Sequence, residues 1–260
     1  MPDDRTSSGD AAVTLRLLWR ASLPQQPANR RGPRRGLDVD SIVAAAVAVA
    51  DDDGLSALTM RRLAQALGVT PMSLYTYVPG RAELLDLVLD DLYARMPRTP
   101  HGEQPWQERV RQVAEDNRAL YERHPWAAAT STLRPPLGPG QLAKYEHELA
   151  AFTGSGMRDL QVDDALTLLL TFIRANARDA ADAQQARESS GADDQRWWEA
   201  VAPLLSQVVD DTSYPLATRI GAVAGAAHHS AHDPQHAYAF GLAQILRALE
   251  QVAADAASSR

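Results

Sequence analysis

Not one cysteine occurs in the 260 residues. That excludes a disulfide framework, a thiolate metal site and a cysteine nucleophile, and it suits a reducing compartment, with the cytoplasm as the expected location. Long apolar runs are missing as well. The two longest, around 42–50 and 165–173, fall well short of the roughly 20 residues a membrane-spanning helix needs, so no membrane partner is expected. An apolar stretch at 11–23 is interrupted by arginines and preceded by acids, unlike a secretory signal. Alternating apolar residues are scarce, no strand is expected, and no internal repeat is visible.

Familiar catalytic signatures are absent too. There is no Gly-rich phosphate loop and no G-x-S-x-G, and His147-Glu148 meets alanine at 151 where a zinc protease needs its second histidine. His228, His232 and His236 recur every fourth residue, a spacing that aligns metal-binding imidazoles on one helix face. Pro234 breaks that helix, and no carboxylate at the following i+3 position completes a ligand set. A metal-dependent helical enzyme built on these histidines is therefore the alternative to a solvated turn. No cofactor is expected.

What is present suits two helical units. Hydrophobic residues are 45% of the chain, and the length allows one small domain and one of ordinary size. The formal charge of −7 runs against a polyanionic partner, but its distribution does not. Arginines cluster at Arg30, Arg31, Arg34 and Arg35 and recur at Arg61, Arg62 and Arg81, while the acids lie mainly elsewhere. The segment R-R-G-P-R-R reads both as a solvated linker and as an arm that orders on phosphates or in the minor groove. Residues 1–36 are thus expected to be a flexible arm, mobile without DNA.

Between Thr59 and Arg81 the chain reads T-M-R-R-L-A-Q-A-L-G-V-T-P-M-S-L-Y-T-Y-V-P-G-R. Thr59 can cap a short helix whose Leu63, Ala64 and Leu67 share a face, and Gly68 suits its left-handed end. Thr70 then caps a second helix with Pro71 in its first position. Leu74 points back, small Ala64 permits close approach, and Met72, Ser73, Tyr75 and Thr76 face outward. This is the layout of a helix-turn-helix reader of the major groove, with an ordinary helical hairpin as the alternative. A preceding helix is expected at 40–50, capped by Asp40, burying Ile42, Val43, Ala46, Val47 and Ala50. A following one from about Arg81 buries Leu84, Leu85, Val88 and Leu92. Further helices fit 106–121, 141–152, 162–187, 197–209, 215–231 and 234–253.

The segments D-S-I-V-A-A-A through L-A-Q-A-L-G-V-T and S-L-Y-T-Y-V-P-G-R-A-E-L-L resemble the tetracycline-repressor (TetR) family of bacterial transcriptional regulators. The likeness continues through P-W-Q-E, L-Y-E-R-H-P-W and D-P-Q-H-A-Y-A-F-G-L-A-Q-I-L. It implies an all-α fold: a helix-turn-helix DNA-binding domain at 37–95 and a ligand-binding and dimerisation domain at 96–255. It further implies a ligand-responsive repressor that binds palindromic double-stranded operator DNA as a homodimer and is released by a small-molecule inducer, with no enzymatic activity. A helical adaptor without DNA binding is the other reading.

The resemblance assigns roles residue by residue. Arg61 coincides with a base-contacting arginine, and its guanidinium fork matches guanine O6 and N7. Thr59, Ser73, Tyr75, Tyr77 and Arg81 fall at phosphate-contacting positions, with core packing the alternative for both tyrosines. Pro71 replaces a base-reading amide, and Met72 offers only apolar contact, so the operator should differ. With Thr76, Arg34 and Arg35 these complete the expected DNA surface. Two copies would read half-sites about one helical turn, roughly 34–36 Å, or a multiple of it apart. Leu166, Leu169, Leu170, Ile173 and Ala177, with Phe240, Leu242, Ile245, Leu246 and Leu249, are expected in a four-helix dimer bundle; burial inside one subunit is the alternative. Asn117, Thr130, Arg134, Arg174 and Asn176 are candidate effector contacts, with Trp126 and Phe172 as apolar walls. Arg134 matches an effector-contacting arginine of the family. Thr130 stands where that archetype holds its drug-bound metal with histidine, which argues against a magnesium-tetracycline inducer.

Overall fold

Asp38, not Asp40, starts the first helix of the DNA-binding unit. Its carboxylate accepts from the Ser41 N–H at 2.7 Å, and the Asp38 N–H donates back to Ser41 Oγ at 3.0 Å. This reciprocal box needs partners three residues apart, which Asp38 and Ser41 supply. Asp40 lies in the first turn instead, paired with Arg20.

The computed structural model describes residues 5–23, 37–132, 134–191 and 193–258. Its helices are α1 (Ala11–Leu18), α2 (Val39–Asp53), α3 (Met60–Ala66), α4 (Pro71–Tyr75), α5 (Arg81–Arg95), α6 (Trp106–Arg123), α7 (Pro125–Ala129), α8 (Pro139–Ala150), α9 (Asp159–Ser190), α10 (Asp194–Val208), α11 (Pro215–His228) and α12 (Pro234–Ser258). A 3₁₀ turn at Leu55–Ala57 joins α2 to α3, and no strand occurs among the described residues. Its short length, like that of α7, leaves no periodicity to read in the sequence.

The expected mobile arm holds a helix over part of its length. Asp10 caps α1 by accepting from the N–H groups of Ala12 and Val13, at 2.9 and 3.0 Å, and Leu18 is buried in the core. Arg30, Arg31, Arg34 and Arg35 lie outside the described residues.

Helix α5 is the joint between the two units. Its apolar residues Leu84, Leu85, Val88 and Leu89 are fully buried. Glu83, Asp86 and Asp90, at helical spacing on the same element, are buried as well, and each carboxylate accepts backbone N–H groups from another segment. Glu83 takes that of Asp10 at 3.1 Å, Asp86 that of Ser7 at 2.8 Å, and Asp90 those of Gly140 and Gln141 at 3.2 and 2.8 Å. Buried carboxylates persist only when so partnered. Desolvation, the largest effect, nevertheless raises the Asp86 pKa to about 6 and that of Asp90 above the usual carboxylate value.

Beyond α5, helices α6, α9 and α12 pack together. Leu166, Leu169 and Ile173 of α9 and Leu242, Leu246 and Leu249 of α12 are buried inside the single chain. The stripes expected to pair across a dimer axis are thus largely used within the subunit. Leu160 and Leu168 of α9 and Phe240 of α12 remain exposed. Helix α10 buries no residue, and α11 buries only Gly225.

Candidate DNA-reading surface and effector site

The turn between α3 and α4 is fixed by its backbone. The Gly68 N–H donates to the Gln65 carbonyl at 3.2 Å and the Val69 N–H to the Ala64 carbonyl at 3.0 Å, the two bonds of a Schellman ending. Gly68 has φ +65°, where a Cβ is strained. Thr59 Oγ1 accepts from the Arg62 N–H at 3.1 Å and Thr70 Oγ1 from the Ser73 N–H at 3.3 Å, so both predicted caps form. Leu58, Leu63, Leu74 and Val78 are wholly buried and Ala64 nearly so. Burial of each large side chain stabilises by about 1.5–3 kcal/mol, enough to hold a five-residue helix that could not persist alone.

On the outer side Met72 is 75% exposed and Tyr75 46% exposed. Pro71, Thr76, Thr59 and Arg61 are exposed with them. Three expected contacts are placed differently. Arg81 turns inward, donating from Nε to the Leu58 carbonyl at 2.8 Å and from a terminal nitrogen to the Leu55 carbonyl at 3.1 Å. It thus braces the 3₁₀ turn beneath α3. The Ser73 hydroxyl is engaged with Thr70 Oγ1 at 2.9 Å, and Tyr77 is half-buried against the core. Arg62 is held by Asp53 at 2.8 Å, which leaves neighbouring Arg61 as the exposed guanidinium of α3.

The effector candidates divide. Asn117 is fully buried and donates from Nδ2 to the Val113 carbonyl at 2.9 Å and to Glu148 Oε1 at 2.6 Å. Lys144, the single lysine of the sequence, is buried beside it with Nζ 2.5 Å from the same carboxylate oxygen and 5.4 Å from the centre of the Tyr93 ring. Asn117 Oδ1 and Glu148 Oε2 are buried with no hydrogen-bond partner among the described residues. Desolvation pushes the Tyr121 hydroxyl up to about 12, the Arg174 cation opposing the rise and the Glu148 carboxylate adding to it, and Tyr93 is raised by the same burial. Arg174 reaches this cluster from α9 and donates to Thr132 Oγ1. Lys144 and Glu148 escaped the sequence reading; the i, i+4 pairing of opposite charges also describes any solvated helix face, so the pattern alone does not reveal burial.

The remaining candidates make contacts elsewhere in the chain. Trp126 donates from Nε1 to Asp51 Oδ1 at 2.7 Å, and His124 Nδ1 meets the same oxygen at 2.7 Å, so both tie α7 to α2. Thr130 bonds back to the Trp126 carbonyl at 3.2 Å, and Asn176 bonds the Pro234 carbonyl at 2.8 Å. Phe172 stacks on Tyr238 with ring centres 5.9 Å apart. Arg134 is exposed, and its carbonyl accepts from Thr6. Of the histidine triplet, His228 ends α11 and its ring lies 4.6 Å from that of His236, with Asp233 3.8 Å from His228 Nδ1. No cluster able to hold a metal ion occurs among the described residues.

Comparison with known proteins gives the same picture at the level of the whole chain. The family model described as tetracyclin repressor-like, C-terminal domain, matches residues 97–253, and that of bacterial regulatory proteins, tetR family, matches residues 42–88. The HTH-type transcriptional repressor DrrR1 of Streptomyces coeruleorubidus is 36% identical over 253 residues, covering 96% of this chain and 90% of that protein. Apo ActR of Streptomyces coelicolor superposes with a TM-score of 0.68 at 28% identity, covering 86% of this chain and all of that one. ActR in complex with actinorhodin gives 0.67 at 30% identity, covering 83% of this chain and 96% of that one. A chain with a groove-reading unit at one end, a ligand-type helical domain at the other and such likeness throughout belongs to the TetR family, and is a DNA-binding transcriptional repressor governed by a small molecule.

Proposed function

We propose that the outer side of α4, with the start of α3, enters the major groove of operator DNA. Arg61 reads a base, Pro71 and Met72 make apolar contact with base edges, and Thr59, Tyr75 and Thr76 hold phosphates. The rigid presentation of α4, locked by Leu74 and the Schellman turn, is the observation that carries this reading. Selection of duplexes from a randomised pool tests it. A palindromic consensus, lost at one position per half-site on Arg61→Ala, is the expected result; an unordered pool would overturn it. The adaptor reading predicts no effect of Arg61→Ala.

The apolar residues left uncovered on α10 and α11, including Leu204, Leu205, Val208, Ile220 and Val223, together with Leu168 and Phe240, support a second copy of this chain as their cover. No helix among the described residues is long and apolar enough to cross a membrane, and the repressor acts beside its DNA in the cytoplasm.

The effector binds where α5, α6, α8 and α9 converge on Asn117, Glu148, Tyr93, Tyr121 and Arg174. Two buried acceptors without partners favour a ligand that brings donors, as hydroxyl, phenol or amine, and the tyrosines favour a flat aromatic body. The complex of ActR with actinorhodin supports such a class. Binding releases the operator because the ligand prefers the DNA-incompetent arrangement.

A further inference from the structure

Two pairs of consecutive residues in the N-terminal segment each grip both domains at once. Thr6 donates its N–H to the Ser131 carbonyl at 3.0 Å, and its hydroxyl to the Arg134 carbonyl; the next residue, Ser7, donates its N–H to Asp86 of α5 at 2.8 Å. Thirteen residues after Thr6, Trp19 donates from Nε1 to the Leu137 carbonyl at 2.8 Å, and the next residue, Arg20, pairs with Asp40 of α2. Between these points Asp10 bonds Glu83, and Gly9 lies so close to that carboxylate that any Cβ would overlap it. The segment is therefore stitched alternately to the 131–137 loop of the ligand-binding domain and to α5 and α2 of the DNA-binding domain.

The same loop leads to the effector cluster. Arg174, whose charge acts on Tyr121, is hooked to it through Thr132. On the other side, α5 packs on α2, α2 on α3, and α3 carries α4.

We propose that residues 5–23 are an internal strap that couples the position of the 131–137 loop to the orientation of the DNA-reading helices. Consecutive peptide units cannot follow two bodies moving apart. A shift of the loop must therefore either drag α5 and α2 or break the bonds of Thr6 and Trp19. The strap gives the two domains a second connection, separate from the covalent link through α5 and its packing on α8. This regulation rests on the DNA-reading assignment above.

Coupling free energy is reciprocal, so it can be read from the DNA side with no effector in hand. The probe is a duplex selected by the full-length protein from a randomised pool. Amide hydrogen exchange of residues 131–141 and the indole N–H exchange of Trp19 are measured with and without it. Two variants are compared, Trp19→Phe and Thr6→Val, each keeping most of its side-chain volume while losing a donor. In the unaltered protein the duplex is expected to change exchange across 131–137 by at least about fivefold, the lower end of ordinary allosteric coupling. In the variants that response should shrink to less than twofold. Their melting temperatures are recorded as a separate readout, which a merely structural strap would lower without altering the response to DNA. An undiminished response in both variants would overturn the strap, and so would a loop indifferent to duplex in the unaltered protein, although DNA reading would then stand. Failure to recover any bound duplex would instead remove the DNA-reading assignment, and the strap with it.

Discussion

Gly140, in the first turn of α8, lies directly on the backbone of Asp90 in α5. A Cβ added to Gly140 would overlap the Asp90 carbonyl oxygen, while the Gly140 N–H bonds the Asp90 side chain at 3.2 Å. Two helices of different domains thus touch backbone to backbone, at a place where only hydrogen fits. Gly140→Ala forces α5 and α8 apart, because the obstructing atom belongs to the main chain and has no rotamer to escape into. The expected loss is about 1–3 kcal/mol, as for other overpacked sites. Urea denaturation would measure it. Gly54→Ala, at a glycine with φ +80° and open space around it, supplies a comparison in which backbone strain acts alone.

Asp86 should give the stability curve an acid-favouring component. Its carboxyl is wholly buried and titrates at about 6 rather than near 3.8. Between those values the folded state holds a proton that the unfolded state has released, so stability falls as pH rises through the window and is constant above it. A shift of this size corresponds to at most ~3 kcal/mol. Asp86→Asn keeps an acceptor for the Ser7 N–H without the charge. It should therefore be more stable than the unaltered protein at pH 7.5, by about 1–3 kcal/mol, and nearly equal to it at pH 4. A difference between the two that stays flat across this range would show that the carboxylate is already compensated when charged.

Reading and positioning contacts separate by how they fail. Arg61→Ala should weaken binding to the selected operator by about 5- to 150-fold, equivalent to 1–3 kcal/mol, and relax the preference at a single base pair in each half-site. Tyr75→Phe removes only a hydroxyl and should weaken all duplexes alike. Competition with randomised duplexes at fixed salt distinguishes the two patterns. A uniform loss for Arg61→Ala would reassign it to the phosphates.

The DNA-reading unit was legible because its signals are local. Thr59, Gly68 and Thr70 each act on a neighbour three residues away and Pro71 on its own φ, and the caps and the turn form as read. Position 81 was not legible. An arginine at a helix start can meet a phosphate or a carbonyl, and the carbonyls of Leu55 and Leu58 reach it only once the 3₁₀ turn has folded. The polar contact of Trp126 was hidden for a related reason: its N–H finds Asp51, seventy-five residues earlier. The buried polar cluster proposed for the effector was half visible. Asn117 and Arg174 stood out as polar groups in apolar helices, while Glu148 and Lys144 resembled solvated charges. The helix in the N-terminal segment escaped because its partners, Glu83, Asp86 and the 131–137 loop, are contributed by distant parts of the chain.

The single lysine offers a direct test of how the effector cluster is held. Lys144 and Glu148 are 4% and 2% exposed, so each charge is tolerated only because of the other and of Asn117. Lys144→Met leaves Glu148 buried without a counter-charge and should cost about 3–5 kcal/mol. Adding Glu148→Leu should restore most of that loss, since a desolvated pair replaced by apolar groups of similar volume is often neutral. The double-mutant cycle by urea denaturation reads the coupling between the two positions. Chemistry supplies an independent measure, because Lys144 bears the only side-chain amine in the protein. An amine-reactive reagent followed by intact mass should therefore add one group rapidly at the chain terminus and a second only on the timescale on which the cluster opens. A second addition as fast as the first would show that the pair is open to water, and would remove the basis for an effector recognised by buried acceptors.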